Sequence, residues 1–379
     1  MIDRRLAALR RRVDALAPWS GAMTVWLAII GGIVLVVAVI ALDGSPGWGY
    51  DFEAYYLAAV RLARGEGIYW PWMLDASYRP GPYGLYLYAP PLAAALVPVT
   101  TWTLGATTAI WAALHIGLVM LSCALLPVTR RVRLATFAAA AFSGAILADT
   151  HLGNVSVIVT FLSVVTWRWL DKPIASGAMA LALTLRPTLG LVLVWAFLRR
   201  RWSFVVTTVV VLTVIVLASL PMVGVDGYVA FVKALRNLSG MTGAPNNLDL
   251  GSTILRFGVP ATVANVVLYA GFAIGLAAML VSLRYDRDLG YVVTVGGALL
   301  VTPLLWDHYL STLIIPAAFL AHRGRTWGLL LPVVTWLPPP LMPFVVVVAT
   351  LAPFLTRRWV DQPASGETIK TSPPSLVTA

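Results

Sequence analysis

Long apolar runs alternate with short polar connections along this chain. The runs fall at about 20–42, 84–101, 105–127, 134–149, 154–167, 173–198, 203–222, 258–283, 289–305, 309–321, 327–337 and 341–355. The first carries no charge before Asp43 and is long enough to cross a bilayer, which takes roughly 20 apolar residues in a helix. Others are shorter than a full span. Arg186-Pro187 divides 173–198 into two short helices, and Tyr88-Ala89-Pro90-Pro91 interrupts 84–101, so one run between Gly84 and Thr129 is expected to be re-entrant or broken. The pattern predicts an all-α polytopic membrane protein, a bundle of about 10–12 transmembrane helices.

Charge places the connections. Basic clusters at Arg4/Arg5/Arg10/Arg11/Arg12, Arg130/Arg131/Arg133, Arg168/Lys172, Arg199/Arg200/Arg201, Arg284/Arg287, Arg323/Arg325 and Arg357/Arg358 hold nineteen of the 27 Lys and Arg. The alternate connections hold Asp43, Asp51, Glu53, Glu66, Asp75, Asp149, Asp226, Asp249 and Asp307. Basic loops stay in the cytoplasm, so the N-terminus is expected inside and the 43–83 loop outside a plasma membrane. Residues 1–19 have apolar positions at helical spacing with arginines opposite, as in a cytoplasmic interfacial amphipathic helix. A single transmembrane domain is expected over 20–361 and a disordered cytoplasmic tail over 362–379.

Composition agrees. With 59% hydrophobic and 11% charged residues the chain lacks the polar surface of a soluble domain. The net charge of +11 is explained by the cytoplasmic loops, and no nucleic-acid partner is expected. One cysteine, Cys123, excludes an internal disulfide.

Ionisable residues near a membrane are expensive to bury and mark function by default. Here they gather at the outer ends of segments. From Asp51, DFEAYYLAAVRLARG reads as an amphipathic helix on the outer surface, stopped at Gly65. Asp51 reads equally as its N-cap and as a catalytic base, two roles that are compatible. Asp149-Thr150-His151-Leu152-Gly153-Asn154 reads as a polar turn or a second site segment. Arg186 lies inside a 25-residue apolar stretch and needs an anionic partner. Asn246 to Ser252 is an outer loop containing Asn247, and Trp306-Asp307-His308 stands at a further outer helix end. The aromatics of residues 48–88, including Tyr55, Tyr69 and Tyr88, fit both an interfacial belt and a surface for stacking sugar rings.

In order along the chain these segments resemble the GT-C membrane glycosyltransferases of family 87, polyprenyl-phosphate-mannose-dependent mannosyltransferases. Asp51-Phe52-Glu53-Ala54-Tyr55-Tyr56 with Gly65 and Tyr69 resembles the family's first outer loop, and Tyr88-Ala89-Pro90-Pro91-Leu92 its Tyr-x-Pro-Pro-Leu. Gly153-Asn154-Val155-Ser156 stands at its Gly-Gln-x-Asn, with Asn for Gln and Ser for Asn. Leu185-Arg186-Pro187 stands at a Lys-x-x-Pro, and Thr302-Pro303-Leu304-Leu305-Trp306-Asp307-His308 is similar to its Ser-Pro-x-Ser-Trp-x-His.

The resemblance implies a GT-C-like bundle that moves a sugar, mannose by family, from a polyprenyl-phosphate donor to a glycolipid or polysaccharide acceptor, inverting the sugar. Asp51 would be the base, His308 its positioner or proton relay, and Arg186 the cation for the leaving phosphate, with Arg79 and Arg256 in reserve. Glu53, Tyr55, Tyr88, His151, Asn154, Asn247, Trp306 and Asp307 would line the substrates. No cofactor is expected; the alternative is Mg²⁺ or Mn²⁺ on Asp51 and Glu53. A transporter or lipid flippase fits the composition too, but would place ionisable residues near mid-membrane and often show internal repeats.

Overall fold

The computed structural model describes residues 2–75, 85–238, 244 and 246–356, with side chains from residue 21 onward. Arg79, Arg357, Arg358 and the expected tail over 362–379 lie outside the described residues, as do the side chains of the expected 1–19 interfacial helix.

Among the described residues every regular element is helical. The first half comprises α1 (Ile2–Leu42), α2 (Tyr50–Ala63), α3 (Pro71–Asp75), α4 (Pro90–Leu96), α5 (Leu104–Leu125), α6 (Arg130–Ala141), α7 (Gly144–Leu152), α8 (Ser156–Arg168), α9 (Pro173–Leu185) and α10 (Gly190–Leu198). The second comprises α11 (Trp202–Leu238), α12 (Leu250–Arg256), α13 (Ala261–Ser282), α14 (Arg287–Leu300), α15 (Ile314–His322), α16 (Leu330–Val333) and α17 (Met342–Leu351).

Five of these helical stretches are long and apolar enough to cross a membrane: Gly21–Leu42, Leu104–Leu125, Trp202–Asn237, Ala261–Ser282 and Pro339–Thr356. The other apolar runs form short helices or the pair α6 and α7, bent by 62°. Ser143 makes that bend, since its side chain caps α7 by accepting from Ile146 N while Thr335 Oγ1 accepts from Ala145 N. Gly224, at φ 68° and ψ 170°, interrupts α11. The helix expected to break at Arg186-Pro187 does break there: Arg186 is extended, and a 3₁₀ turn over Pro187–Leu189 leads into α10.

The chain shuttles between two faces. Ser156 opens α8 on one face and Arg168 closes it on the other; α9 then returns from Pro173 to Arg186. Among the described residues, basic clusters meet on one face: Asp171 pairs with Arg201 at 2.5 Å and Arg287 at 2.6 Å, and Asp286 pairs with Arg323 at 3.1 Å. Arg199 donates to Leu283 O at 2.6 Å on the same face. Asp51, Asn154, Arg186 and His308 meet on the opposite face. Among the described residues up to Thr129 that follow Gly84, only α5 is long enough to cross. The α4 run begins beside Tyr88 and ends where Tyr56 Oη on α2 donates to Trp102 O at 2.8 Å, so both its ends stay near α2.

Burial grades from centre to rim. In α14 every residue from Leu289 to Leu300 is buried, and Trp167 and Trp195 pack against its Tyr291. Hydroxyls inside this centre are satisfied along their own helices, as Ser163 Oγ on Val159 O at 2.8 Å and Thr166 Oγ1 on Leu162 O at 2.9 Å. By contrast α1, α11 and α13 turn Ile40, Val214, Val266 and other large apolar side chains outward. Such apolar exteriors suit lipid as solvent.

Candidate active site

Helix α2 begins after Gly49, which takes φ +70° at the N-cap, and carries Asp51 and Glu53 in its first turn, where the helix dipole favours negative charge. Asp51 is therefore inside the helix and not its cap. Its carboxylate faces the turn between α7 and α8: Asn154 Nδ2 donates to Asp51 Oδ2 at 2.8 Å.

Asn154 is held by its neighbours. The same Nδ2 donates to Tyr88 Oη at 3.1 Å, and Asn154 Oδ1 accepts from Ser156 Oγ at 2.9 Å. Ser156 Oγ in turn accepts from Arg186 at 2.6 Å. A continuous polar line thus runs Asp51, Asn154, Ser156, Arg186. Its middle is fixed by Asp149, a fully buried carboxylate that accepts from Ser156 N at 3.2 Å and Val157 N at 2.7 Å. Asp149 caps α8 from a distance and so decides where Ser156 points.

Gly153 allows this turn. It sits at φ +69°, and a Cβ built there would lie 2.7 Å from Phe52 Cβ on α2. Gly153 O also accepts from Trp111 Nε1 at 2.9 Å. Gly153→Ala is expected to lower stability by about 1–3 kcal/mol, because it adds left-handed strain to the clash. A melting temperature in detergent equal to the wild type would contradict this packing.

Arg186 is 5% exposed. Its guanidinium lies 3.8 Å over the Tyr309 ring and reaches Thr312 Oγ1 at 3.5 Å. Among the described residues no carboxylate comes within 4.0 Å of it. Buried cations are normally paired, so a guanidinium met only by hydroxyls and a ring is prepared for an anion from outside the protein. Helices α8 and α9, whose ends meet around it, have 13 residues each, about 20 Å of rise against a hydrocarbon core of about 30 Å.

His308 faces Asp51 from a 3₁₀ segment, Asp307–Leu313. Its Nδ1 lies 3.2 Å from Asp307 Oδ1, and Trp306 and Tyr309 flank its ring at 5.8 and 5.0 Å between centroids. Burial pushes the Asp51 carboxyl above the ordinary carboxylate range, against the pull of the His308 charge and the Asn154 hydrogen bond, with Asp307 adding to the rise. Burial also works against a charged imidazole at His308. There the Asp307 contact and the charges of Asp51, Asp307 and Asp149 outweigh it and raise its pKa.

The remaining expected site residues divide. Tyr55 is buried edge-on against Tyr88, 5.0 Å between centroids, and Glu53 is half-buried on α2. His151 turns away to the 43–49 connection: its Nε2 is 3.0 Å from Ser45 Oγ and its carbonyl accepts from Gly49 N. Asn247 and Arg256 brace a neighbouring loop. Asn247 donates to Pro303 O at 3.0 Å and accepts from Leu305 N at 2.9 Å, while Arg256 donates to Asn247 O at 2.6 Å. They hold the strand of chain that leads into Trp306 and His308.

Asp51 and Glu53 do not fit a shared divalent ion. Residues two apart on a helix point to different sides, and Asp51 is already engaged by Asn154. Among the described residues no group of three or more His, Cys, Asp or Glu could hold a metal. Tyr309 and Thr312 join the site without having been expected there; Asp149 and Ser156 join it too, the first noted as a carboxylate at a segment end and the second only as a departure from the family pattern.

Comparison with known proteins fits this arrangement. Residues 86–305 match glycosyltransferase family 87. Two curated relatives, both alpha-(1->3)-arabinofuranosyltransferases from strains of Mycobacterium tuberculosis, are 29% identical over 276 residues, 69% of this chain and 61% of theirs. The match thus spans about three fifths of the relatives' length. No solved structure matches the chain. A family match that covers more than half of the sequence, and includes the Tyr88, Asn154 and Arg186 segments of the site, establishes that the chain belongs to glycosyltransferase family 87.

Proposed function

We propose that this protein transfers a sugar from a polyprenyl-phosphate donor to a hydroxyl of a glycolipid or polysaccharide acceptor, on the outer face of the plasma membrane. The observation that carries the reading is the polar line with a carboxylate at one end and a carboxylate-free buried guanidinium at the other. The acceptor hydroxyl loses its proton to Asp51 as its oxygen bonds to the anomeric carbon. The bond from that carbon to the phosphate oxygen breaks, and its electron pair leaves on a phosphate monoester neutralised by Arg186. Asn154 orients the Asp51 carboxylate, and His308 sets its charge. A single base with no second nucleophile gives inversion. Tyr88 fixes Asn154 through its hydroxyl and Tyr55 packs behind it, and the half-buried Glu53 is placed to meet acceptor hydroxyls.

Two sugars are the first to test. The motifs imply mannose; the relatives carry arabinofuranose in their names. Purified protein incubated with mannosyl- or arabinofuranosyl-phosphoryl-polyprenol and a lipid acceptor should release polyprenyl phosphate with only one of them, and the anomeric signal of the product should be inverted. Movement of lipid across vesicles with neither donor consumed would favour the flippase reading instead.

Orientation has its own test. Asp75 and Lys172 are exposed on opposite faces of the bundle. In a Cys123→Ser background, Asp75→Cys is expected to react with an impermeant maleimide on intact cells, and Lys172→Cys only after permeabilisation. The reverse pattern would move the site to the cytoplasm.

A further inference from the structure

An apolar groove of about 650 Å³ opens between α1, α5 and α6, away from the polar line. Ala28, Gly32 and Val36 form one wall, Met120 and Cys123 another, and Phe137 a third, with Arg133 at its end. Arg133 Nε donates to Leu126 O at 2.8 Å, and Arg168 donates to Leu125 O at 3.2 Å, so two guanidiniums meet at the last turn of α5. Among the described residues no carboxylate lies within 4.0 Å of either.

Among the described residues the local electrostatics are one-sided. Helix α6 opens with Arg130 and Arg133 in its first turn, with no acidic residue there and no side-chain cap from Thr129. A helix N-terminus is already positive, so cations there are unfavourable unless an anion intervenes. Arg168 Nε is buried without a hydrogen-bond partner among the described residues. These observations call for a phosphate at the mouth of an apolar groove.

The groove is not the donor site. The first turns of α5 pack on the Asp51 loop, where a Cβ on Gly49 would lie 2.6 Å from Thr108 Cγ2. Arg168 and Arg133 meet the other end of the same helix, at Leu125 and Leu126, roughly 17 residues beyond Thr108 or about 26 Å at 1.5 Å per residue. That separation is close to the thickness of the hydrocarbon core, about 30 Å.

We propose that the groove between α1, α5 and α6 binds an anionic glycerophospholipid from the leaflet opposite the Asp51 site. Its phosphate sits on Arg133 and Arg168 and one acyl chain fills the groove. Charge complementarity selects the headgroup, and the apolar walls against α1 select the chain. Binding to the folded protein alone raises its stability, and α1, otherwise largely lipid-exposed, is tied to α5 and α6.

The test is thermal unfolding of the purified full chain in neutral detergent, titrated separately with dioleoylphosphatidylglycerol, dioleoylphosphatidylcholine and inorganic phosphate. Phosphatidylglycerol should raise the melting temperature by several degrees, and the other two should not. Arg133→Gln with Arg168→Gln should lose that rise, since glutamine can still donate to the α5 carbonyls but carries no charge. Val36→Trp, which fills the groove at an exposed position, should reduce the rise while leaving both arginines in place. An equal rise with phosphatidylcholine, or with inorganic phosphate, overturns the proposal. So does a full phosphatidylglycerol rise in Val36→Trp or in the double variant. If the double variant does not fold, the three wild-type titrations and Val36→Trp decide it.

Discussion

Asp51→Asn is expected to fold normally and to lose sugar transfer by about 10²–10⁴-fold, the usual contribution of a positioned acid or base. The fold survives because asparagine keeps an oxygen that accepts from Asn154 Nδ2, and because Gly49, not Asp51, occupies the N-cap of α2. The proton acceptor does not survive. The pH profile gives an independent check. Transfer requires the ionised carboxylate, so the wild-type rate should rise with pH through a value above the ordinary carboxylate range, following the raised pKa of Asp51. His308 holds that pKa down from where burial would push it. Its removal in His308→Gln should therefore move the acid limb to higher pH as well as slow the reaction. A near-normal rate in Asp51→Asn, or an acid limb unmoved in His308→Gln, would take Asp51 out of the base role.

Much of this arrangement was readable from residue types. Charge alternation alone separated the segments that meet around Asp51 from those that meet around Asp171, because loop charge follows the membrane and not the details of packing. The break at Arg186-Pro187 was legible because proline removes a backbone donor and obstructs the preceding turn. The crossings were harder. A run such as 134–149 is apolar at most positions, yet Ser143 and Gly144 bend it, and hydropathy has no term for a local cap. Long-range roles were hidden for the same reason. Nothing at Asn247 distinguishes a substrate-binding amide from a clamp on Pro303 and Leu305 until both loops are in view. Ser156 was noted only as a departure from a family pattern. In the fold that departure is the link between Asn154 and Arg186.

The Arg186 substitutions separate a phosphate site from a structural cation. A buried cation that lacks a carboxylate partner is unfavourable to the free protein, and its replacement by an apolar residue of similar volume is often neutral or stabilising. Arg186→Met should thus keep or raise the melting temperature in detergent, although it abandons the contacts to Ser156 and Tyr309. The same change should reduce kcat/KM by about 10²–10³-fold, the effect of losing one strong donor to developing charge. Arg186→Lys keeps the charge without the planar fork, and should retain part of the activity. Polyprenyl-phosphate sugar should raise the melting temperature of the wild type, raise that of Arg186→Lys less, and leave that of Arg186→Met unchanged. If Arg186 instead braces the fold, Arg186→Met should melt several degrees lower without ligand, and the donor should stabilise all three proteins equally. Equal shifts would sink the phosphate role, because a ligand that gains nothing from the guanidinium has no reason to distinguish the variants.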